Sequence, residues 1–163
     1  MIRGVHHISI HTKNLERILD FYQEAFGFMP VTEQIHWHEN SFFDNVIGLS
    51  GTAGRLIMLK SHNLYLEVWE YTAPLGLQNE PLRPNDWGYT HFCVDTDNIE
   101  EDYSRLLRAG MKFNRPLPTE TDGIRAIYGK DPDGNLIELQ QVRMEHDFAF
   151  ERLEYLALRA DNE

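Results

Sequence analysis

An α+β protein is predicted, with two βαβββ modules forming a concave mixed sheet and a C-terminal helix added behind them. Three observations carry that expectation. Two short alternating stretches, Gly4 to His11 and Gly88 to Asp95, each hold a histidine near their start and lead into an amphipathic segment ending at glycine. Gly27 follows His7 by 20 residues and Gly110 follows His91 by 19. Each half then ends in an apolar strand broken by one glutamate, Leu66-Glu67-Val68 and Ile137-Glu138-Leu139, so the same order of elements occurs twice.

In chain order, Val5 to His11 reads as a strand with Val5, His7, Ser9 and His11 on one face and His6, Ile8 and Ile10 on the other. Asn14 is a candidate N-cap for a helix striped by Leu15, Ile18, Leu19, Tyr22 and Phe26 and stopped by Gly27. A strand is expected over Phe28 to Ile35, and His36 to Leu49 has no clear pattern. Arg55 to Lys60 and Asn63 to Tyr71 are strands, the second placing Tyr65, Glu67, Trp69 and Tyr71 on one face. Pro74, Gly76, Pro81 and Pro84 mark a linker over 74–86 between modules at about 4–73 and 87–143.

The second module repeats the first. Tyr89 to Val94 is a strand, Thr96 or Asp97 caps a helix carrying Ile99, Tyr103, Leu106 and Leu107, and Met111 to Phe113 is a short strand. Gly123 to Tyr128 and Leu136 to Val142 are strands joined at Asp131-Pro-Asp-Gly-Asn135, a strong turn signal. The tyrosines Tyr22 and Tyr103 count as a further match between the helices. Residues 1–143 are read as one domain, and Phe148, Phe150, Leu153, Leu156 and Leu158 predict a helical tail over 144–163.

Composition narrows the function classes. The chain has 163 residues, 42% hydrophobic, with a net charge of -11. That acidity argues against a nucleic-acid or anionic-membrane partner, whose phosphates need Lys and Arg. No apolar run approaches the roughly 20 residues that span a bilayer. One cysteine, Cys93, excludes an intrachain disulfide framework and reads as a buried, inert thiol between apolar neighbours. A cytoplasmic homodimer acting on a small-molecule substrate is the expectation.

The chemistry is expected at His7, Glu67, His91 and Glu138, on the first and last strand of each repeat. A charge between aromatic residues on a strand face is costly without a partner. Converging as a pseudo-twofold set, two imidazoles and two carboxylates suit a divalent ion such as Zn, Ni, Co, Mn or Fe(II). Such an ion polarises a carbonyl or enolate oxygen while a carboxylate takes the neighbouring proton. Tyr65, Trp69, Tyr71, Trp87 and Tyr128 are candidates for a pocket wall, and Arg125 for an anionic substrate group. Glu70 and the pair His36 and His38 read as surface.

These residues also carry a resemblance. Val5-His-His-Ile-Ser-Ile10, Leu19-Asp-Phe-Tyr22, Phe26-Gly-Phe28, Leu66-Glu-Val68, Gly88-Tyr-Thr-His-Phe-Cys-Val94 and Asp131-Pro-Asp-Gly-Asn-Leu-Ile-Glu-Leu139 resemble the vicinal oxygen chelate superfamily over about residues 4–143. That superfamily spans glyoxalase I, the extradiol dioxygenases and methylmalonyl-CoA epimerase. The resemblance implies metal ligands at His7, rather than His6, and at Glu67, His91 and Glu138. It implies that Glu138 or Glu67 is the catalytic proton carrier. The glutamate at 67 adds a fourth ligand, as in the glyoxalase and epimerase branches, so a metal-dependent lyase or isomerase is favoured. A non-haem Fe(II) ring-cleaving dioxygenase using His7, His91 and Glu138 is the alternative, and a binding protein without turnover is the residual class. Fosfomycin-type thiol transferases are similar but use three ligands and a cation loop with no counterpart in this sequence.

Overall fold

Thr12-Lys-Asn14-Leu15 and Thr96-Asp-Asn98-Ile99 start the two long helices in the same way. Asn14 Oδ1 accepts from the Arg17 N–H at 3.0 Å, and Asn98 Oδ1 accepts from the Glu101 N–H at 3.2 Å. Each asparagine N–H donates in turn to the threonine hydroxyl two residues before it, at 3.1 Å in both. These bonds satisfy donors that a helix start leaves unpaired. The cap of the second helix is therefore Asn98, not Thr96 or Asp97; the Thr96 hydroxyl instead donates to Asp102.

The computed structural model describes residues 2–77 and 83–153. It divides into two units, Met1–Glu80 and Pro81–Glu163. The first contains β1 (Ile8–His11), α1 (Leu15–Phe26), β2 (Met29–Pro30), β3 (Ile35–His38), α2 (Ser41–Ile47), β4 (Ala53–Ser61) and β5 (Leu64–Ala73). The second contains β6 (His91–Asp95), α3 (Ile99–Arg108), β7 (Lys112–Phe113), β8 (Thr119–Thr121), β9 (Ile124–Lys130) and β10 (Leu136–Val142).

The two sheets have one topology. The first runs β1-β5-β4-β2 with β3 also on β4; the second runs β6-β10-β9-β7 with β8 also on β9. The first strand is parallel to the last in each, and the remaining pairs are antiparallel, so both sheets are mixed. The strand expected over Phe28 to Ile35 is broken between Val31 and Gln34 into β2 and β3, and both pieces pair with β4. The patternless stretch after it is β3 and a seven-residue helix capped by Asn40.

The helix-covered face of the first unit is built from Ile8, Ile10, Ile57, Leu59, Leu66 and Val68, which register side by side across β1, β5 and β4. Leu15, Ile18, Phe21, Tyr22, Ala25 and Phe26 of α1 are buried. Each such large side chain contributes about 1.5–3 kcal/mol on burial. Gly27 ends α1 at φ 67°, a left-handed cap that glycine takes without strain. Glu70, expected at the surface, lies on this helix side and pairs with Arg55, whose guanidinium also grips Glu16 of α1 at 2.6 and 2.8 Å. The ion pair ties helix to sheet, and both carboxylates raise the Arg55 pKa.

In the second unit Phe92, Val94, Ile127, Ile137 and Leu139 occupy the corresponding places, with Ile99 and Leu106 of α3 buried. Tyr22 and Tyr103 are not equivalent. Counted from the shared Thr-x-Asn caps, Tyr22 matches Leu106; it is fully buried, while the Tyr103 hydroxyl reaches the Pro116 carbonyl at 2.8 Å. The Asp131 turn forms as expected: its carboxylate accepts from the N–H groups of Asp133 and Asn135 at 2.9 Å each, and the Gly134 N–H closes on its carbonyl at 3.0 Å. Residues 144–153 hold turns and one turn of 3-10 helix, Phe150–Arg152. The rest of the expected tail helix, 154–163, and residues 78–82 of the linker lie outside the described residues.

Candidate metal centre

Strand register brings each histidine to its glutamate. In the parallel β1–β5 pair Glu67 lies beside Ser9, and in β6–β10 Glu138 lies beside Cys93. Ser9 is two residues beyond His7, and Cys93 two beyond His91, so both histidines project on the glutamate's face. His7 Nε2 is 3.4 Å from Glu67 Oε2, and His91 Nε2 is 3.2 Å from Glu138 Oε2. The four side chains are partly exposed, the histidines at 34% and 28% and the glutamates at 16% and 18%. The structure thus joins His7 with Glu67 and His91 with Glu138. Among the described residues it shows no group of three or more metal-ligating side chains.

An imidazole nitrogen and a carboxylate oxygen this close need a hydrogen or a cation between them, a ring N–H donating to the carboxylate or a metal ion held by both. The opposite ring nitrogens are engaged already. His7 Nδ1 is 2.8 Å from His6 Nδ1, and His91 Nδ1 is 2.9 Å from Thr90 Oγ1. The donor set, imidazole nitrogen with carboxylate oxygen, fits Zn and its first-row neighbours.

The surroundings of the pairs differ. Glu67 Oε2 accepts from the Trp69 indole N–H at 2.5 Å. Trp69 stacks on Tyr71 with centroids 5.5 Å apart, and both rings meet Trp37 edge-on at 5.1 and 5.5 Å. Ser9, Ile10, His11, Glu67, Trp69 and Tyr71 line an open hollow of about 350 Å³. Beside Glu138 the neighbour across the antiparallel pair is Tyr128, where Glu67 has Met58. Tyr128 Oη lies 3.3 Å from His91 Nε2. Burial, then the Glu138 charge, pushes the Tyr128 pKa up to about 12; burial and the Glu67 charge raise that of Tyr71. Both phenols are neutral donors at neutral pH.

Other expectations are revised. Cys93 is exposed rather than buried, because its alternation puts it with His91 and Glu138 away from the helix. The surrounding protein and the acids Glu138 and Asp95 still push its thiol up to about 12. Trp87 is 99% exposed, and Tyr65 stacks on His6 at 5.8 Å. Arg125 is engaged by Glu100 and Glu120. His36 and His38 are exposed on β3, at a second hollow with Arg55 and Thr72. His6, set aside in favour of His7, and Thr90 both contact the paired histidines, and the sequence signal for that is their shared place one residue before each.

Repeated mixed sheets bearing a histidine–glutamate pair apiece define a glyoxalase-type fold. Residues 4–139 match the Glyoxalase/Bleomycin resistance protein/Dioxygenase superfamily, and the chain belongs to it. Among its relatives is a lactoylglutathione lyase of Schizosaccharomyces pombe, 31% identical over 147 residues, a match covering 83% of this chain. The chain spans 46% of that enzyme's length. The metallothiol transferase FosB of Shouchella clausii is 25% identical over 144 residues, covering 85% of this chain and 80% of FosB. A glyoxalase family protein from Bacillus cereus has the same fold, with a TM-score of 0.76 at 20% identity, covering 87% of this chain and 95% of that one.

Proposed function

We propose that this protein is a divalent-metal-dependent lyase or isomerase of the glyoxalase type, moving a proton next to a carbonyl or enolate oxygen of a small substrate. The observation that carries the reading is the matched pairing of His7 with Glu67 and of His91 with Glu138, at one register in both modules. The lactoylglutathione lyase relative supports the same reaction class. His7, Glu67, His91 and Glu138 would hold the ion, from the set Zn, Ni, Co, Mn or Fe(II). When bound, the ion supplies Lewis acidity that favours charge on a substrate oxygen.

The chain's own groups do the rest. Glu138 or Glu67 accepts the proton from the carbon beside that oxygen and returns it at its neighbour or at the opposite face. Tyr128 offers a neutral hydroxyl beside His91. Trp69 and Tyr71 give the hollow beside Glu67 apolar walls, suited to an apolar or aromatic flank of the substrate. A homodimer and a cytoplasmic location belong to the same proposal.

The alternative is a non-haem Fe(II) ring-cleaving dioxygenase using His7, His91 and Glu138, and the FosB relative adds a thiol transferase as a further reading. The test is metal analysis of protein purified without oxygen, with proton exchange into D₂O followed by NMR on 2-oxoaldehyde–thiol adducts and 2-hydroxy carbonyl compounds. Metal-dependent exchange without oxygen uptake, abolished in Glu67→Gln, is the expected result. Oxygen uptake with bound Fe(II), or exchange that survives Glu67→Gln unchanged, overturns the reading.

A further inference from the structure

We propose that His6 and Thr90 are positioning residues, each accepting the Nδ1 proton of the histidine that follows it and so presenting that histidine's Nε2 to the glutamate. The two occupy the same place in the repeat, one residue before His7 and one before His91. They differ in chemistry, yet both put a polar atom on the following ring's Nδ1, at 2.8 and 2.9 Å. Recurrence of one contact with two side-chain types points to the contact as the feature held in common.

Donor counting requires one hydrogen between each pair of atoms, and a cation on Nε2 assigns it to the ligand histidine, because that leaves the ring's own proton on Nδ1. A neutral imidazole has one N–H and one bare nitrogen, and two bare nitrogens do not sit 2.8 Å apart. With His7 donating, His6 accepts at Nδ1 and carries its own proton on Nε2. Its ring is held by Tyr65, stacked at 5.8 Å with planes 14° apart. Thr90 Oγ1 accepts without a tautomer of its own. Each histidine then has a bare Nε2 facing a carboxylate oxygen, an arrangement completed by a cation. Outer partners of this kind typically change metal affinity by about 10- to 100-fold.

This inference rests on the metal reading proposed above, and the experiment separates the two. Co(II) affinity is measured on the full chain by competition with a chromogenic chelator, together with the visible Co(II) spectrum and the melting temperature of the metal-free protein. Thr90→Val keeps the shape and removes the acceptor; His6→Leu does the same for His7. Each is expected to weaken Co(II) binding by about 10- to 100-fold and to alter the spectrum, with the metal-free melting temperature close to the parent's. Thr90→Ser and His6→Asn, which restore an acceptor near the same place, are expected to recover most of the affinity and the parent spectrum. Parent protein that takes up no Co(II) sinks the metal reading and this inference with it. Parent that binds while Thr90→Val and His6→Leu bind equally well overturns this inference alone. Loss in Thr90→Val that Thr90→Ser does not recover also counts against it, since packing rather than the acceptor would then be responsible.

Discussion

Glu67 stands beside Ser9 in the β1–β5 ladder, two residues past the histidine whose Nε2 its carboxylate faces at 3.4 Å. Glu138 repeats that placement beside Cys93, with His91 at 3.2 Å. Parallel pairing is what makes the geometry possible: the first and last strands of each unit run alongside each other, so a residue near the start of one reaches the middle of the other's face.

The pairing predicts the behaviour of Glu67→Gln and Glu138→Gln. The amide keeps the size and removes the negative charge that a cation needs. Metal retention after dialysis is expected to fall by more than about a hundredfold, beyond what loss of an outer partner costs. The metal-free variants are expected to melt no lower than the parent, because a half-buried charge has been removed. Elemental analysis and calorimetry on the same samples check both halves; full metal retention by either variant contradicts the assignment of that glutamate.

Trp69→Phe separates the indole N–H from the ring. Trp69 gives Glu67 its 2.5 Å hydrogen bond and also stacks on Tyr71. Phenylalanine preserves most of the stacking and removes the donor. Stability is expected to fall by about 1.5–3 kcal/mol, the scale of a lost hydrogen bond to a charged group, read from the urea midpoint. Metal affinity should fall less than in Glu67→Gln, since the carboxylate is loosened rather than lost.

Acid stability should depend on Asp44. Its carboxylate accepts from the Gly51 N–H at 2.8 Å, the Thr52 N–H at 2.9 Å and the Thr52 hydroxyl at 2.5 Å, and Thr52 in turn accepts from the Trp37 indole at 3.0 Å. The Thr52 hydroxyl first, then the two backbone N–H groups, hold the Asp44 pKa below its ordinary 3.8. A depressed native pKa contributes stability above the unfolded value, and the contribution is lost as pH falls through the native one. Asp44→Asn should therefore melt below the parent at pH 7, and the gap should close as pH drops below about 3.8. A gap that is constant from pH 7 to pH 2.5 would show that the charge is not what matters.

Much of the fold and both pairs were legible because strand alternation is strict. Once Leu66 and Val68 face the helix, Glu67 must face away, and the same reasoning holds for Ile137, Glu138 and Leu139. What escaped depended on contacts between distant segments. Alternation put Glu70 opposite Glu67, but only the fold shows that this side is covered by α1 and that Arg55 waits there. Cys93 has apolar neighbours in sequence, but Phe92 and Val94 point to the other face. Tyr22 and Tyr103 match in sequence alone, whereas the Thr-x-Asn caps are the truer repeat because they do one physical job twice. The short helix Ser41–Ile47 buries none of its side chains, so no apolar stripe announces it.

Gly54 shows how tightly the first sheet is closed around its aromatic side. It follows the register shift at Ala53 and pairs with both Trp37 and Tyr71. A Cβ built at this position would collide with the Glu70 carbonyl and come within 2.8 Å of Trp37 Cη2. The carbonyl belongs to the β5 backbone and cannot swing aside as a side chain would. Trp37 is itself buried against Trp69, Phe43 and Tyr71. Gly54→Ala should therefore cost about 1–3 kcal/mol or more, the range for forcing atoms into a packed site. Because β4 carries Met58 to Glu67 four residues on, the strain should also reach the site. A parallel drop in the urea midpoint and in Co(II) affinity is the expected pair of results. Gly76→Ala is the control, since among the described residues its Cβ would meet His11 alone, at an ordinary 3.5 Å; equal losses in both variants would mean that the close approach at Gly54 is not the cause.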